Sequence, residues 1–285
     1  MRIKSYLGAG FILASSGMVA ATTITPELWV EPESSLTFVR VPKGCHRIGT
    51  QELPFKFFSQ SLREAKYAGE PAGDEKPAHE VCLSEYWIGQ YEVTAEQWQR
   101  IMGAPPPSGQ GREPAAGITW QQAREFAVRL TAQSAEKNRF RLPTEAEWEV
   151  ACLAGEKDPL QTEVDRMSYA PYAVFHRSIS ISGKQKERVL VMQPQPVGSL
   201  RSNAWGIYDM RGNVWEWVQD NYLPDAYQKH GLYDPLIAAV NGLRGLRGGS
   251  YRSEVMHLRC ANRGNYPESE TLPTMGLRLV REAQR

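Results

Sequence analysis

The stretch Gly206–Trp217, GIYDMRGNVWEW, decides the fold of this chain. It places two carboxylates, Asp209 and Glu216, on either side of a Gly–Asn turn. Such a segment can curl around a hard cation, with the backbone carbonyls of Gly212 and Val214 as further ligands. This all-oxygen set suits calcium better than zinc or copper. The spacing alone also allows an alternative to a calcium site. In that alternative the segment is a tight turn, its charges are solvated and its tryptophans only fill the core.

Residues 1–21 carry the features of a secretory signal peptide. A basic start, MRIK, precedes a short apolar run that ends in small residues, and we predict cleavage after Ala21. The run is broken by glycine and serine and is too short to span a bilayer comfortably. We therefore expect an exported protein, periplasmic or secreted, with no membrane span after cleavage. An apolar helix retained in the fold is the alternative.

The remaining residues, 22–285, are enough for one large domain or two small ones. The net charge is +1 and the basic residues are dispersed, so neither nucleic acid nor an anionic membrane is an expected partner. The 19 prolines, 24 glycines and 8 tryptophans favour a loop-rich fold that aromatic side chains hold together. Composition alone goes no further.

The four cysteines form an even set, which predicts disulfides in an exported protein. No pair has the C-x-x-C spacing of a zinc knuckle or a redox site. Cys45 and Cys82 fall in two predicted strands, so we favour a bridge between them. That choice leaves Cys152 to pair with Cys260. Buried thiols in place of one or both bridges are the alternative.

Local patterns predict short helices and short strands joined by long loops. Alternating hydrophobicity predicts a hairpin over residues 36–49 and one or two strands over 79–93. Capping signals mark three helix starts, at Thr94–Gln97, Thr119–Gln122 and Thr144–Glu147. Short strands are expected around 245–251 and 275–281, and long irregular stretches over 156–205 and 218–243. This mixture indicates an α+β fold without Rossmann alternation.

Six ordered segments resemble one family, the formylglycine-generating enzyme or sulfatase-modifying factor family. They are YEVTAEQW, ITWQQAREFAVRL, RLPTEAEWEVACLAG, PVGSLRSNAWGIYDMRGNVWEWVQD, LRGGSYRSEVMHLRCANRGN and MGLRLVRE. The resemblance spans roughly residues 36–282 and implies a single C-type-lectin-like α+β domain that is poor in regular structure. It also implies a structural calcium ion bound by Asp209, Gly212, Val214 and Glu216.

The resemblance breaks down at the catalytic thiols of the family. The formylglycine-forming enzyme holds copper(I) with two nearby cysteines after a GGS motif. In this chain, Ser253 occupies the first of these positions after Gly248–Ser250, and no cysteine occupies the second. Copper(I) prefers soft thiolates, and a serine hydroxyl does not replace one. We therefore expect no formylglycine formation by the usual mechanism.

The missing thiols and the signal peptide match the exported, PvdO-like members of the family. These members take part in the oxidative maturation of the siderophore pyoverdine. The resemblance thus implies an oxidoreductase that matures a secreted peptide or siderophore precursor and acts as a monomer. Relatives that make sulfur compounds use an iron-binding helical domain with several histidines, whereas the 5 histidines here are scattered. A non-catalytic binding or regulatory protein is the alternative, followed by a formylglycine-generating oxidase acting on sulfatases.

The segment after the GGS motif supplies the candidate catalytic residues, which are Ser250, Ser253, Glu254, His257 and Arg259. Glu254 can orient His257 for proton transfer. Met256 beside His257 is a candidate ligand for an unidentified redox metal in the pocket. An ordinary surface or satisfied histidine is the alternative reading of His257.

Several arginines and tryptophans near these motifs are assigned structural roles. Four arginines are expected in buried ion pairs with Glu145, Glu147, Glu149 or Glu216 rather than in a substrate clamp, namely Arg247, Arg259, Arg263 and Arg278. Trp215 and Trp217 are expected in the core rather than on a stacking platform.

Overall fold

The computed structural model describes residues 25–51, 73–156, 171–175 and 193–283. The signal peptide, residues 1–21, lies outside these ranges and stays a prediction. The strands are β1 (Leu28–Val30), β2 (Thr37–Val41), β3 (Gly44–Ile48), β4 (His79–Leu83), β5 (Tyr86–Gly89), β6 (Phe140–Arg141), β7 (Trp215–Asn221), β8 (Leu243–Arg247), β9 (Arg263–Pro267), β10 (Met275–Gly276) and β11 (Val280–Glu282). The α-helices are α1 (Ala95–Met102), α2 (Trp120–Gln133), α3 (Glu145–Leu153) and α4 (Ala226–Lys229), and a 3-10 helix covers Val255–Leu258. Short elements of both kinds joined by long connections confirm the predicted α+β class.

Three sheets carry the described strands. A five-stranded sheet has the order β1-β2-β5-β11-β6, and a four-stranded sheet has the order β10-β7-β8-β9. Strands β3 and β4 form a separate two-stranded sheet. Strand β7, which continues the GNVWEW motif, pairs in parallel with β10 and antiparallel with β8. The motif therefore enters the middle of a sheet, where backbone pairing on both sides holds it in place.

The hairpin predicted over residues 36–49 is wrong. Both of its strands exist, but β2 pairs with β1 and β5, whereas β3 pairs with β4. Pairing of β2 with β5 brings Val39 opposite Ile88, and both side chains are fully buried in one core cluster. The gain from this non-local burial outweighs the short Pro–x–Gly turn, which instead directs the chain from one sheet to the other.

A second correction concerns residues 218–221, which belong to β7 rather than to an irregular stretch. The sequence WEWVQDN lacks the alternation of apolar and polar residues that predicts a strand, because the charged residues Glu216 and Asp220 lie at buried positions. Alternation of hydrophobicity fails as a signal where both faces of a strand are covered. The other predicted strands, at 79–93, 245–251 and 275–281, correspond to observed ones.

All three predicted helix starts are confirmed by complete capping boxes. In each one the threonine Oγ1 accepts the backbone N–H three residues on, and that residue's side chain accepts the threonine N–H. Helix α3 contacts β3, β7 and β8, so it is surrounded on most sides. Its glutamates Glu145, Glu147 and Glu149 are therefore buried, and each requires a cationic or hydrogen-bonding partner.

Both predicted disulfides are present. Cys45 and Cys82 lie directly opposite each other on β3 and β4 and form one bridge. Cys152 at the end of α3 forms the other with Cys260. The second bridge ties α3 to the segment that follows the GGS motif.

No α-helix within the described ranges is both long and apolar enough to cross a bilayer.

Candidate functional site

The GIYDMRGNVWEW segment folds as a turn that requires its glycine. Asp209 and Asn213 adopt left-handed backbone conformations, with φ of 58° and 57°. Gly212 has φ of 97°, and a Cβ atom there would lie 2.0 Å from the carbonyl oxygen of Val174. No side chain fits in that space, so glycine is needed for this approach of two backbone segments. The turn brings Asp209 and the start of β7 into the interior.

Glu216 is buried and tightly held by two neighbours. Its Oε1 accepts a hydrogen bond of 2.7 Å from Arg278 Nη2, and its Oε2 accepts one of 2.7 Å from Trp148 Nε1. Arg278 is itself fully buried and donates further bonds to the carbonyl oxygens of Gly89 and Tyr208. A cation bound at Glu216 would therefore share its oxygens with a guanidinium and an indole.

A third carboxylate, Glu92, joins this region and was not anticipated from the sequence. Its side chain is fully buried and accepts hydrogen bonds from the backbone N–H of Val214 (3.0 Å) and from Asn213 Nδ2. Burial, with the nearby charges of Asp209 and Glu216, raises the pKa of Glu92 well above its usual range. The available signal was a lone glutamate between apolar positions in YEV, just before the α1 cap.

Asp209 is 5% exposed and accepts a 2.7 Å bond from the backbone N–H of Gly198. Burial, together with the charge of Glu216, raises the pKa of Asp209 to about 6. The hydrogen bond from Gly198 and the charge of Arg278 act in the opposite direction and only partly offset this rise. Among the described residues, three buried carboxyl groups thus lie near one guanidinium. A bound divalent cation would favour the ionised forms of these acids, and their oxygen-only donor set matches the needs of a hard cation such as calcium.

The segment after the GGS motif forms a tight turn around two serines. Ser253, at the position of the family's first copper cysteine, is 9% exposed, and Ser250 is 2% exposed. The Oγ of Ser253 accepts the backbone N–H of Ser250 at 2.9 Å and lies 3.3 Å from the Ser250 Oγ. The structure thus brings these two predicted residues together, with each hydroxyl engaged by the turn.

Glu254 immediately precedes the 3-10 helix that follows, and His257 lies within it. Glu254 is exposed at its start, and the backbone N–H of His257 donates to the Glu254 carbonyl at 3.0 Å. Burial lowers the pKa of the His257 imidazole below its usual value, whereas a side-chain hydrogen bond with Asn262 and the charge of Glu254 act in the opposite direction. His257 is therefore neutral at pH 7 and able to accept a proton.

Arg259 is part of a buried ion pair with Glu75. Its Nη2 donates to Glu75 Oε1 at 2.6 Å, its Nη1 contacts the other carboxylate oxygen, and its Nε donates to the Met256 carbonyl. The prediction of a buried pair is confirmed, but the partner is not one of the four glutamates named from the sequence. The sequence offered no means of connecting residues 184 positions apart.

The other three arginines have partners from the predicted set. The Arg247 side chain lies between Glu145 and Glu149, with its Nη2 2.6 Å from Glu149 Oε2. Arg263 donates two bonds to Glu145, and Arg278 pairs with Glu216. The remaining glutamate, Glu147, pairs instead with Arg141. Trp217 is fully buried, as predicted, whereas Trp215 is partly exposed and packs against the same core cluster.

The cysteines leave no thiol for copper. All 4 cysteines of the chain are described, and each is bonded within one of the two disulfides. Cys260 is fully buried and linked to Cys152 of α3, so its sulfur is not available as a thiolate. A copper(I) site of two thiolates therefore cannot form in this oxidised chain.

Comparison with known proteins agrees with this architecture. The model of the FGE-sulfatase family, described as the sulfatase-modifying factor enzyme 1-like domain, matches residues 30–283. The chain belongs to this family. The formylglycine-generating enzyme of Streptomyces coelicolor is 30% identical over 210 residues, which cover 70% of this chain and 61% of that enzyme. This chain thus shares the domain of the family, and each of its cysteines lies in a disulfide.

Other relatives share the domain in different contexts. The serine/threonine-protein kinase Pkn1 of Chlamydia trachomatis is 28% identical over 76% of this chain, which spans only 36% of the kinase. The chaperone protein LppX of Paenibacillus barcinonensis is 28% identical over 70% of this chain and 81% of that protein. The family scaffold therefore occurs in proteins whose names describe quite different activities.

The fold is also that of a solved family structure. PvdO from Pseudomonas aeruginosa superposes with a TM-score of 0.71 at 24% identity, and the match covers 91% of this chain and 100% of PvdO. At this identity the likeness establishes the fold, including the C-type-lectin-like arrangement expected from the sequence.

Proposed function

We propose that this family member is an exported oxidative maturation factor for a secreted peptide, with a pyoverdine-type siderophore precursor as its substrate. The observation that carries the proposal is the turn after the GGS motif. Serine replaces the copper cysteine there, and every cysteine of the chain is committed to a disulfide. The likeness in fold to PvdO and the similarity to an oxidising enzyme of the family support an oxidative role on the same scaffold.

In this proposal the substrate loses two hydrogens, and molecular oxygen accepts the two electrons and two protons to give hydrogen peroxide. Proton transfer is carried out by His257 of the 3-10 helix together with the adjacent Glu254. His257 is neutral at pH 7 because burial lowers its pKa, and it can therefore accept a proton from a substrate N–H or O–H. Glu254, exposed at the start of the helix, stabilises the imidazolium that results. Ser250 and Ser253 shape the turn, and Arg259 positions the segment through its pair with Glu75.

The direct test is the product made by a strain that lacks the protein. We expect deletion to cause accumulation of an incompletely oxidised precursor, detected by mass spectrometry through its retained hydrogens. Complementation with the wild-type chain should restore the product, whereas His257→Ala should restore less than about a tenth of it, since a positioned acid or base contributes about 100-fold or more. Arg129→Ala, which removes an exposed i,i+4 pair with Glu125, serves as the matched control. An unchanged product in the deletion strain would refute the proposal.

A binding role without catalysis is the second candidate, and the similarity to the chaperone LppX favours it. In that case a partner protein should co-purify with the chain, and Glu254→Ala and His257→Ala should leave the phenotype intact. Residual formylglycine formation on sulfatases, the third candidate, requires copper(I) binding. A copper(I) titration without stoichiometric uptake would exclude it.

We further propose that calcium stabilises the scaffold at Asp209 and Glu216, with the carbonyls of Gly212 and Val214. The excess of buried carboxylates over Arg278 supports this proposal. Bound calcium would supply structural charge neutralisation, and the chain's own residues orient the turn around it.

Asp209→Asn should change protein stability with opposite sign in the presence and absence of calcium. Without calcium, the raised pKa of Asp209, about 6 rather than 3.8, means that folding favours the protonated acid. Its contribution is present below about pH 4 and is lost as the pH rises through 6. At pH 7 in EGTA the amide should therefore raise the free energy of unfolding, by about 1–3 kcal/mol. In millimolar calcium the same variant should be less stable than wild type, because a ligand is lost. Denaturant unfolding measures both, and an identical effect in both buffers would contradict the calcium proposal.

A further inference from the structure

A second group of potential metal ligands lies beside the first turn of α3. It consists of Glu145 at the start of α3, Asp220 on β7 and His230 just after α4. One carboxylate oxygen of each acid and one ring nitrogen of the histidine lie within 4.8 Å of one another. Glu145 and Asp220 are fully buried, and His230 is partly buried. None of these residues belongs to the proposed catalytic turn or to the calcium segment.

The hydrogen bonds of His79 determine which nitrogen of His230 carries its proton. His79 Nδ1 lies 2.9 Å from the carbonyl oxygen of Pro77, which can only accept, so this nitrogen is the donor. In neutral His79 the Nε2 is then an acceptor, and it lies 2.9 Å from His230 Nδ1. His230 Nδ1 must therefore donate, which leaves the Nε2 of neutral His230 as a bare lone pair.

That lone pair has no partner in the described part of the chain. His230 Nε2 is buried and makes no hydrogen bond there. A buried nitrogen acceptor that faces two carboxylates is unfavourable unless a cation or a proton lies between them.

The two carboxylates differ in how far their charge is compensated. Glu145 receives two hydrogen bonds from Arg263 and lies 3.2 Å from Arg247 Nε. Asp220 accepts only backbone N–H groups among the described residues, those of Glu145 at 2.8 Å and Ile237 at 2.9 Å. Asp220 is therefore the acid without a cationic partner among the described residues, and it lies close to the bare imidazole nitrogen.

We propose that His230 Nε2, Asp220 and Glu145 bind a divalent transition metal ion of the zinc class. One imidazole nitrogen and carboxylate oxygens form a mixed donor set that suits zinc better than calcium or copper(I). Asp220 and His230 are the principal ligands, and Glu145 binds more weakly because Arg263 competes for its oxygens. His79 accepts the Nδ1 proton of His230, as outer-sphere partners of metal-bound histidines do. Water completes the coordination of the ion.

Zinc titration of the full chain tests this proposal. After treatment with EDTA and removal of the chelator, zinc should bind with about one equivalent per chain, measured by competition with a chromophoric chelator. His230→Ala should weaken binding at least about 100-fold, and His79→Ala about 10- to 100-fold, as is typical for an outer-sphere partner. Zinc should also raise the melting temperature of the wild-type chain but not that of His230→Ala.

His46→Ala is the matched control, since His46 Nε2 is also buried without a hydrogen-bond partner among the described residues but belongs to no such ligand group. This variant should bind zinc as the wild type does. The proposal is overturned if the wild type takes up no stoichiometric zinc, or if His230→Ala binds it with unchanged affinity. If His230→Ala does not fold, the same comparison is made between His79→Ala and His46→Ala. Equal affinities in that pair would equally overturn the proposal.

Discussion

Arg278→Ala should lower the free energy of unfolding by about 3–5 kcal/mol at pH 7. Arg278 is fully buried, and its guanidinium pairs with Glu216. The guanidinium also interacts electrostatically with Glu92 and Asp209. Its removal leaves buried carboxylates without a counter-charge and frees the carbonyl oxygens of Gly89 and Tyr208. Denaturant unfolding of the purified variant measures the loss.

The matched control for Arg278→Ala is Arg129→Ala on α2. Arg129 also pairs with a glutamate, Glu125, but both side chains are about half exposed. That substitution should change stability by no more than about 0.5 kcal/mol. If Arg278→Ala fails to fold, Glu216→Gln gives a milder change, because the amide oxygen still accepts from Arg278. A loss below about 1 kcal/mol in both core variants would contradict the role assigned to this pair.

Removal of the Cys152–Cys260 disulfide should have a comparably large effect. The bridge closes a loop with a sequence separation of 108, for which loop-closure entropy gives about 4–5 kcal/mol. Both cysteines are also buried, at 2% and 0% exposure, so alanine at each position loses core packing. The double alanine variant should therefore be destabilised by at least about 4 kcal/mol in urea unfolding.

The Cys45–Cys82 bridge provides the comparison. Its sequence separation is 37 and Cys45 is exposed on β3, so its removal should cost about 3–4 kcal/mol. Only loss of the Cys152–Cys260 bridge should also loosen the 3-10 helix, Val255–Leu258, which follows the serine turn. Hydrogen exchange of its amides should then be faster in the first variant alone. Equal stability losses and equal exchange in the two variants would contradict this assignment.

Local signals in the sequence were sufficient for several parts of the fold. The three capping boxes predicted the starts of α1, α2 and α3, because a cap depends only on residues within one turn. The strand pattern favoured the Cys45–Cys82 bridge, which left Cys152 to pair with Cys260, and both bridges are present. The order of six segments identified the family, and Ser253 already indicated that the copper thiols are missing.

Other parts depended on contacts between residues far apart in the chain. The hairpin at 36–49 was wrong because β2 gains more from pairing with β5, whose residues follow 45 or more positions later. The strand residues 218–221 were missed because Asp220 looks solvent-exposed until its buried backbone partners are known. Pairing of charges across the core depends on the tertiary structure and produces no periodic pattern in the sequence.

The GIYDMRGNVWEW segment shows both what the sequence determines and what depends on the tertiary structure. By itself, the sequence determined the turn, the family and two of the carboxylates, because glycine and acidic residues have local requirements. The tertiary structure alone decided that Glu92 completes a buried group of three acids and that one guanidinium, Arg278, faces it. It also decided that Asp220 and His230 converge on Glu145. Electrostatic compensation acts through space, so the folded chain, rather than the order of residues, decides where an excess of buried charge remains.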